Sequence, residues 1–126
     1  MSERLRGVVV SHVGLAHALV DAVAQITGER DALVPVSNDG CSLEALGKRV
    51  IEAVGPGPCV VFVDLPGGSC LQAAAHYLRG HPESAVVAGV NLAMLVDFVY
   101  HRDLTPVQAA KRAVETAGRA LKVLGR

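Results

Sequence analysis

The fold is decided by one stretch in the middle of the sequence, CVVFVDLPGGS at residues 59–69. Its first five residues are apolar and mostly β-branched or aromatic, which is typical of a short strand buried on both faces. Asp64 follows directly, and a Pro-Gly-Gly turn then leads into a helix predicted from about Ser69 to Arg79. A buried strand, a turn and a helix in this order indicate a unit of a parallel α/β sheet.

The same alternation continues on both sides of this stretch. Gly28 closes a first helix, Ser42 caps a second, and the sequence TPVQ at residues 105–108 has the residues of a capping box that begins the last helix. The predicted order is βαβαβαβαα, which favours a single domain with an open, mostly parallel four-stranded sheet and helices on both faces. The predicted strands cover residues 7–11, 32–36, 59–63 and 85–88, and the predicted helices cover 14–27, 43–54, 69–79, 92–101 and 106–124.

The composition excludes several classes of protein. Of the 126 residues, 51% are apolar and only 19% are charged, so the chain is not a disordered segment. Lys plus Arg and Asp plus Glu balance at 12 each, which argues against nucleic-acid binding, because that needs a basic face. Aromatic residues make up 3% of the chain and Trp is absent, which argues against base-stacking platforms and weakens the case for a flavin pocket.

The sequence also predicts the cellular location of the protein. The polar start of the chain leads into an apolar run too short for a secretory signal, and no apolar stretch reaches the ~20 residues of a membrane span. The three cysteines are odd in number and lack CxxC spacing, so we interpret them as reduced thiols. We therefore expect a cytoplasmic protein without direct membrane insertion.

Candidate chemistry lies where two predicted strands end. His12 follows the first strand and Asp64 follows the third, so both are expected at the carboxyl edge of the sheet, where α/β proteins bind ligands. If these strands are neighbours, Asp64 can accept a hydrogen bond from one ring nitrogen of His12 and leave the other nitrogen basic. Backbone N–H groups of Gly67, Gly68 and Ser69, at a helix N-terminus, would form an anion cradle. Together these groups suggest phosphoryl transfer through phosphohistidine. Taken alone, a histidine at a strand end or a Gly-Gly pair after a strand is more often part of a simple turn.

Four stretches of the chain resemble a known family. They are VVVSH with LAHAL (residues 8–12 and 15–19), VFVDLPGGS (61–69), VAGVNLAML (87–95) and AVETA (113–117). In this order and spacing they resemble the mannose-type IIA domain of the bacterial phosphoenolpyruvate–sugar phosphotransferase system. The resemblance covers nearly the whole chain and implies a doubly wound α/β fold, with residues 1–126 forming one phosphocarrier domain.

The resemblance also implies a mechanism. Nε2 of His12 would accept a phosphoryl group from the phosphohistidine of the carrier protein HPr, and would pass it to a histidine of a IIB domain for sugar uptake. Asp64 would hold Nδ1, and Ser69 would lie near the phosphate. No metal or nucleotide cofactor is required, and a homodimer is usual. The chain departs from the family pattern at Val13, where a glycine is usual, and at Cys70, where a proline is usual.

Other functions could use some of the same residues. A regulatory phosphoprotein of an incomplete phosphotransferase system would use the same His12 chemistry, and the phosphotransfer domain of a dihydroxyacetone kinase system is a more distant alternative. A hydrolase triad of His12, Asp64 and Ser69 is disfavoured because the nucleophile-elbow motif is missing. Cys70 lies near a helix N-terminus that would stabilise a thiolate, although a packing role is the simpler interpretation. The remaining histidines show no zinc-binding pattern, so no metal site is predicted among them; they are His17, His76, His81 and His101.

Overall fold

The computed structural model of the chain describes residues 4–126. Residues 1–3, which belong to the predicted domain and to the polar start of the chain, lie outside the described residues. The elements alternate as the sequence predicts. They are β1 (Arg6–Ser11), α1 (Leu15–Thr27), β2 (Leu33–Ser37), α2 (Leu43–Val54), β3 (Cys59–Val63), α3 (Ser69–Gly80), β4 (Ala85–Ala88), α4 (Leu92–Tyr100) and α5 (Pro106–Ala120).

The four strands form one parallel sheet in the order β2-β1-β3-β4. This confirms the predicted single-domain α/β fold. Val10 of β1 pairs with Val36 on one side and with Val63 on the other. The two central strands are therefore β1 and β3, and the strand that follows each of them in sequence lies on its outer side, β2 beside β1 and β4 beside β3. The strand order reverses between β1 and β3, and at such a point two neighbouring connections diverge and leave a crevice at the carboxyl edge.

The sheet is covered by helices on both faces. Val9 and Phe62 belong to a core on the face of α1, α4 and α5, whereas Val8, Val10 and Val61 belong to a core on the face of α2 and α3. Because successive strand residues point to opposite faces, burial of both faces requires the unbroken apolar runs seen in β1 and β3.

Gly7 is required by close packing on the first of these faces. A Cβ there would lie 2.6 Å from Cδ2 of Leu33 and 2.8 Å from the ring of Phe98. The Phe98 ring in turn packs edge-on against Phe62, with ring centroids 5.2 Å apart. A side chain at Gly7 would therefore displace one of the few aromatic contacts of the core.

The predicted helix boundaries are confirmed where a specific capping residue sets them. Ser42 Oγ accepts a hydrogen bond from Ala45 N at 3.1 Å, and Gly28 closes α1 with a φ of 77°. At the start of α5, Thr105 and Gln108 form both hydrogen bonds of the capping box, and Pro106 occupies the first turn.

The predicted end of the last helix is wrong. We expected this helix to reach about Leu124, but α5 ends at Ala120, and Leu121 is extended with φ −81° and ψ 117°. Gly118 weakens the final turn, and the side chains of Leu121, Val123 and Leu124 are largely exposed. A helix gains most of its stability from tertiary packing, and these residues have no core to pack against.

Candidate functional site

His12 and Asp64 are neighbours at the carboxyl edge of the sheet, where the strand order reverses between β1 and β3. His12 follows Ser11, the last residue of β1, and Asp64 follows Val63, the last residue of β3. Since Val10 pairs directly with Val63, the two strands deliver these side chains to the same place on the carboxyl edge. The condition on which the sequence prediction depended, that β1 and β3 be adjacent, is therefore met.

One carboxylate oxygen of Asp64 holds both the backbone and the ring of His12. Oδ2 accepts a hydrogen bond from the backbone N–H of His12 at 2.9 Å and lies 2.8 Å from Nδ1 of the ring. The Asp64 side chain is only 9% exposed, whereas that of His12 is 43% exposed. A carboxylate at Nδ1 stabilises the tautomer that carries its proton there, which gives Nε2 a free lone pair.

The Asp64 carboxyl is held in its ionised form. Burial works to raise its pKa, but the hydrogen bonds from the backbone and ring of His12 and the electrostatic attraction to that ring outweigh this effect. The pKa of Asp64 therefore lies below its usual value of 3.8. At neutral pH the site contains a buried negative charge directed at the histidine ring.

Two polar residues that the sequence analysis did not single out position the segment after His12. Ser11 is fully buried, and its Oγ accepts a hydrogen bond from Ala16 N in the first turn of α1 at 2.6 Å. Asn38 follows β2, and its Oδ1 accepts a hydrogen bond from Val13 N at 3.2 Å. The sequence signal for Asn38 is weaker than that for Asp64, because Asn38 comes two residues after the predicted end of the second strand and Ser37 stands between.

Val13 adopts an unusual backbone conformation beside His12. Its φ is +53°, the only positive φ at a non-glycine residue in the described part of the chain, and the residue is 65% exposed. The left-handed region is unfavourable for β-branched residues, so this turn stores strain next to the candidate site.

The first turn of α3 lies against the histidine ring. The helix begins at Ser69, and Gly68 precedes it with φ 90° and ψ −171°, a conformation accessible essentially only to glycine. No side chain caps this helix, and Gly67 and Gly68 are exposed. The backbone N–H groups of the first turn can therefore serve an anion at this edge.

Cys70, the second residue of α3, is fully buried, with its Sγ 4.0 Å from Nδ1 of His12. Burial, reinforced by the charge of Asp64, raises the pKa of this thiol to about 11. The expectation that the helix N-terminus would stabilise a thiolate is therefore wrong, because burial and the charge of Asp64 favour the neutral thiol. The thiol packs in the core on the α2 and α3 face, as the simpler interpretation predicts.

His81 and His101 have partners in the helices that precede them. Nδ1 of His81 lies 3.0 Å from the carbonyl oxygen of Tyr77, and Nδ1 of His101 lies 2.8 Å from that of Asp97, so each ring binds a carbonyl of the helix that it follows.

Within residues 4–126, none of the helices combines the length and hydrophobicity needed to cross a bilayer.

The sequence profile of the EIIA-man family, described as the phosphotransferase system fructose IIA component, matches residues 7–115. This range includes His12, Asp64 and the turn before α3. No curated protein matches the chain significantly.

Solved structures share the fold over almost the whole chain. A mannose/sorbose-specific IIA subunit from Enterococcus faecalis is 24% identical, with a TM-score of 0.82, covering 98% of this chain and 97% of its own. A component EIIA from Streptococcus agalactiae is 17% identical, with a TM-score of 0.87 and coverages of 94% and 96%. A IIA protein associated with a fucose utilization operon in Streptococcus pneumoniae is 19% identical, with a TM-score of 0.73 and coverages of 98% and 96%.

Proposed function

Since the chain belongs to the EIIA-man family of phosphotransferase-system IIA components, we propose that it is a phosphohistidine carrier. His12 accepts a phosphoryl group from HPr and passes it to a histidine of a IIB domain for sugar uptake. Residues 1–126 form the phosphocarrier domain, which works in the cytoplasm and needs no metal or nucleotide cofactor. The observation that carries this proposal is the 2.8 Å contact between Nδ1 of the half-exposed His12 and Oδ2 of the buried Asp64.

This contact suits a nucleophilic histidine. With the proton on Nδ1, the lone pair of Nε2 attacks the phosphorus of the donor phosphohistidine, and the electron pair of the broken P–N bond returns to the donor ring. The phosphorylated ring of His12 then carries a positive charge, with the proton on Nδ1 and the phosphoryl group on Nε2. The Asp64 carboxylate stabilises this cation, and the fixed tautomer keeps Nε2 ready for the transfer.

The start of α3 provides a place for the phosphoryl oxygens. The backbone N–H groups of Gly67, Gly68 and Ser69 lie in a turn that follows Asp64 by three to five residues. Because Cys70 in the same first turn lies 4.0 Å from the His12 ring, this helix N-terminus is close to the reacting histidine. Its partial positive charge would stabilise the charge on the transferring group.

A homodimer is part of the proposal. Strand β4 pairs with a neighbour on one side only, and a groove of about 530 Å³ runs between it and α5. Val107 and Val114 of α5 line this groove, and both are about half exposed. An open strand edge beside exposed apolar side chains favours pairing with a second copy. Sedimentation velocity at micromolar concentration distinguishes a dimer from a monomer.

The central experiment is phosphorylation with purified enzyme I, HPr and radiolabelled phosphoenolpyruvate. The wild-type chain should acquire acid-labile label, and His12→Ala should acquire none. His17→Ala is the matched control, because this exposed histidine lies five residues further along the chain and should leave labelling unchanged. Equal label on wild type and His12→Ala would rule out His12 as the acceptor.

A second arm of this experiment addresses the downstream partner. Labelled chain is mixed with a IIB domain, and the label on each protein is followed with time. Transfer to IIB supports the transport role. Stable labelling without transfer to any IIB domain encoded by the same genome would instead favour the regulatory phosphoprotein.

A further inference from the structure

His12, Asp64 and Cys70 bring three different metal-binding atoms together at one point. Nδ1 of His12, a carboxylate oxygen of Asp64 and Sγ of Cys70 all lie within 4.8 Å of one another. Phosphoryl transfer at Nε2 uses the first two of these residues, but it gives no role to the thiol. Cys70 is also a position at which this sequence departs from the family pattern.

A second observation concerns the same carboxylate. Oδ1 of Asp64 is buried and has no hydrogen-bond partner among the residues that the structure describes. The side chain that carries it is 9% exposed, so solvent has little access to this oxygen. Buried oxygens without a donor are rare because they lose their hydration without replacement. A cation coordinated by both oxygens of the Asp64 carboxylate would give Oδ1 a partner.

We propose that His12, Asp64 and Cys70 form a site for a borderline-soft divalent cation, with Zn²⁺ the best match, and that the bound ion inhibits phosphoryl transfer. Imidazole nitrogen, carboxylate oxygen and thiolate sulfur are the three ligand types of zinc, and three protein ligands leave a fourth position for water. Tetrahedral zinc with bonds of about 2.0–2.3 Å holds its nitrogen and sulfur ligands about 3.5 Å apart. The 4.0 Å between Sγ and Nδ1 is close to this separation. The 2.8 Å between Nδ1 and Oδ2 must widen, which the half-exposed His12 ring can do by rotating.

The inhibition follows from the proton balance and rests on the proposed function. The ion takes the lone pair of Nδ1, so the single ring proton of neutral His12 moves to Nε2. The Cys70 thiol releases its proton to solvent as the thiolate binds, and Asp64 is already ionised. Nε2 then carries hydrogen and has no lone pair for phosphorus. Metal binding and phosphorylation are therefore mutually exclusive at His12. The ion is an inhibitor rather than a cofactor, which agrees with a reaction that requires no metal.

Binding is tested on the tag-free, reduced chain by titration with Zn²⁺ against a chromophoric chelator. Wild type should bind one ion per chain. Cys70→Ser should lose at least about tenfold in affinity, since even an outer-shell partner is worth about 10–100-fold. Cys41→Ser is the matched control, because Cys41 lies outside the trio and bonds to the Asn38 carbonyl oxygen. Mg²⁺, which prefers oxygen ligands, should not compete.

A spectroscopic measurement keeps the test independent of variant folding. Co²⁺ added to wild type should give a near-ultraviolet thiolate-to-metal charge-transfer band, and excess Zn²⁺ should remove it. No band, or equal Zn²⁺ affinity in wild type and Cys70→Ser, would overturn the site. These measurements do not depend on phosphorylation, so they remain valid if the carrier function is wrong.

Inhibition is measured as the initial labelling rate at rising free Zn²⁺, divided by the metal-free rate of the same protein. Wild type and Cys41→Ser should lose labelling at the concentration that half-saturates the site, and Cys70→Ser should require at least about tenfold more. HPr and enzyme I must first be shown to keep their own transfer activity at these concentrations. Unchanged labelling of zinc-saturated wild type would overturn the mutual exclusion.

Discussion

Oδ2 of Asp64 holds His12 at two points, the backbone N–H at 2.9 Å and the ring Nδ1 at 2.8 Å. The first contact fixes the end of β1 relative to the end of β3, and the second fixes the ring relative to that backbone. A single buried oxygen therefore links the position of the strand to the orientation and tautomer of the nucleophile. The link depends on the negative charge as well as the geometry, because a phosphorylated imidazole is cationic.

Asp64→Asn should slow phosphorylation of His12. The amide has nearly the same shape, but it cannot stabilise the cationic ring, and its NH₂ group can turn toward Nδ1 and favour the wrong tautomer. A hydrogen bond to a charged group contributes about 1.5–3 kcal/mol, so the rate of labelling by HPr should fall about 10–100-fold. The measurement is the initial rate of labelling at fixed HPr.

The matched control for this substitution is Asp97→Asn. Asp97 is equally buried, with 8% exposure, and its Oδ1 lies 3.3 Å from Nε of Arg112 in an ion pair away from His12. This variant is expected to lose stability while keeping the wild-type labelling rate per folded molecule. Similar slowing in both variants would show that the effect at Asp64 is one of folding and not of the His12 contact.

The lowered pKa of Asp64 predicts a specific dependence of stability on pH. Its folded-state pKa lies below the usual value of 3.8, so the ionised carboxyl stabilises the folded state above that value. This contribution is lost as pH falls through the lowered folded pKa, because the unfolded chain takes up the proton first. The difference in unfolding free energy between wild type and Asp64→Asn should therefore shrink below about pH 4. Urea denaturation from pH 7 to pH 3 measures it, and a constant difference would contradict the assignment.

The sequence predicts the His12–Asp64 pair because its requirements are local. Each residue follows an unmistakable buried strand, and carboxyl ends of parallel strands lie on one edge whatever the details of packing. Only the adjacency of β1 and β3 had to be supplied by the structure. The helix caps at Ser42 and Thr105 were predictable for the same reason, since a cap involves residues three positions apart.

Features that depend on long-range packing were not predictable. The contact of Asn38 with Val13 requires β2 to lie beside β1, which the sequence alone does not specify. The burial that raises the pKa of Cys70 depends on how α3 packs against the sheet, whereas the helix N-terminus that offered a thiolate as the alternative interpretation is a local feature of the sequence. The last helix was extended too far because its apolar residues beyond Ala120 fit a helical pattern but have no core to contact.

Val13→Gly should remove the backbone strain beside His12. A left-handed conformation costs an L-residue about 1–2 kcal/mol, and glycine adopts it freely. Glycine is also more flexible than valine in the unfolded chain, which lowers the gain in unfolding free energy by about 0.5–1 kcal/mol. We expect the unfolding free energy to rise by up to about 1 kcal/mol, measured by urea denaturation.

Ile51→Gly is the matched control for this substitution, because Ile51 is also β-branched and about half exposed but lies within α2, away from the proposed dimer groove. It should destabilise the protein by about 0.5–1 kcal/mol, because glycine is a poor helix former. Destabilisation of equal size at Val13 would show that the φ of +53° carries no strain.

Gly68→Ala tests the turn that would hold the phosphoryl oxygens. Its φ of 90° and ψ of −171° are nearly inaccessible to alanine, although no atom lies within 4 Å of the added Cβ. The cost is therefore conformational, about 1–3 kcal/mol of unfolding free energy, and the start of α3 should shift to relieve it. Gly67→Ala is the matched control for stability, because it adds a methyl group to the same turn in equally open space. Gly67 has no positive φ, so this substitution should cost under about 0.5 kcal/mol of unfolding free energy.

The labelling rate tests whether this turn takes part in phosphoryl transfer. If its N–H groups hold the phosphoryl oxygens, Gly68→Ala lowers the labelling rate of folded protein, because the displaced N–H groups no longer face the transferring group. A full labelling rate with the expected loss of stability would remove this turn from the mechanism.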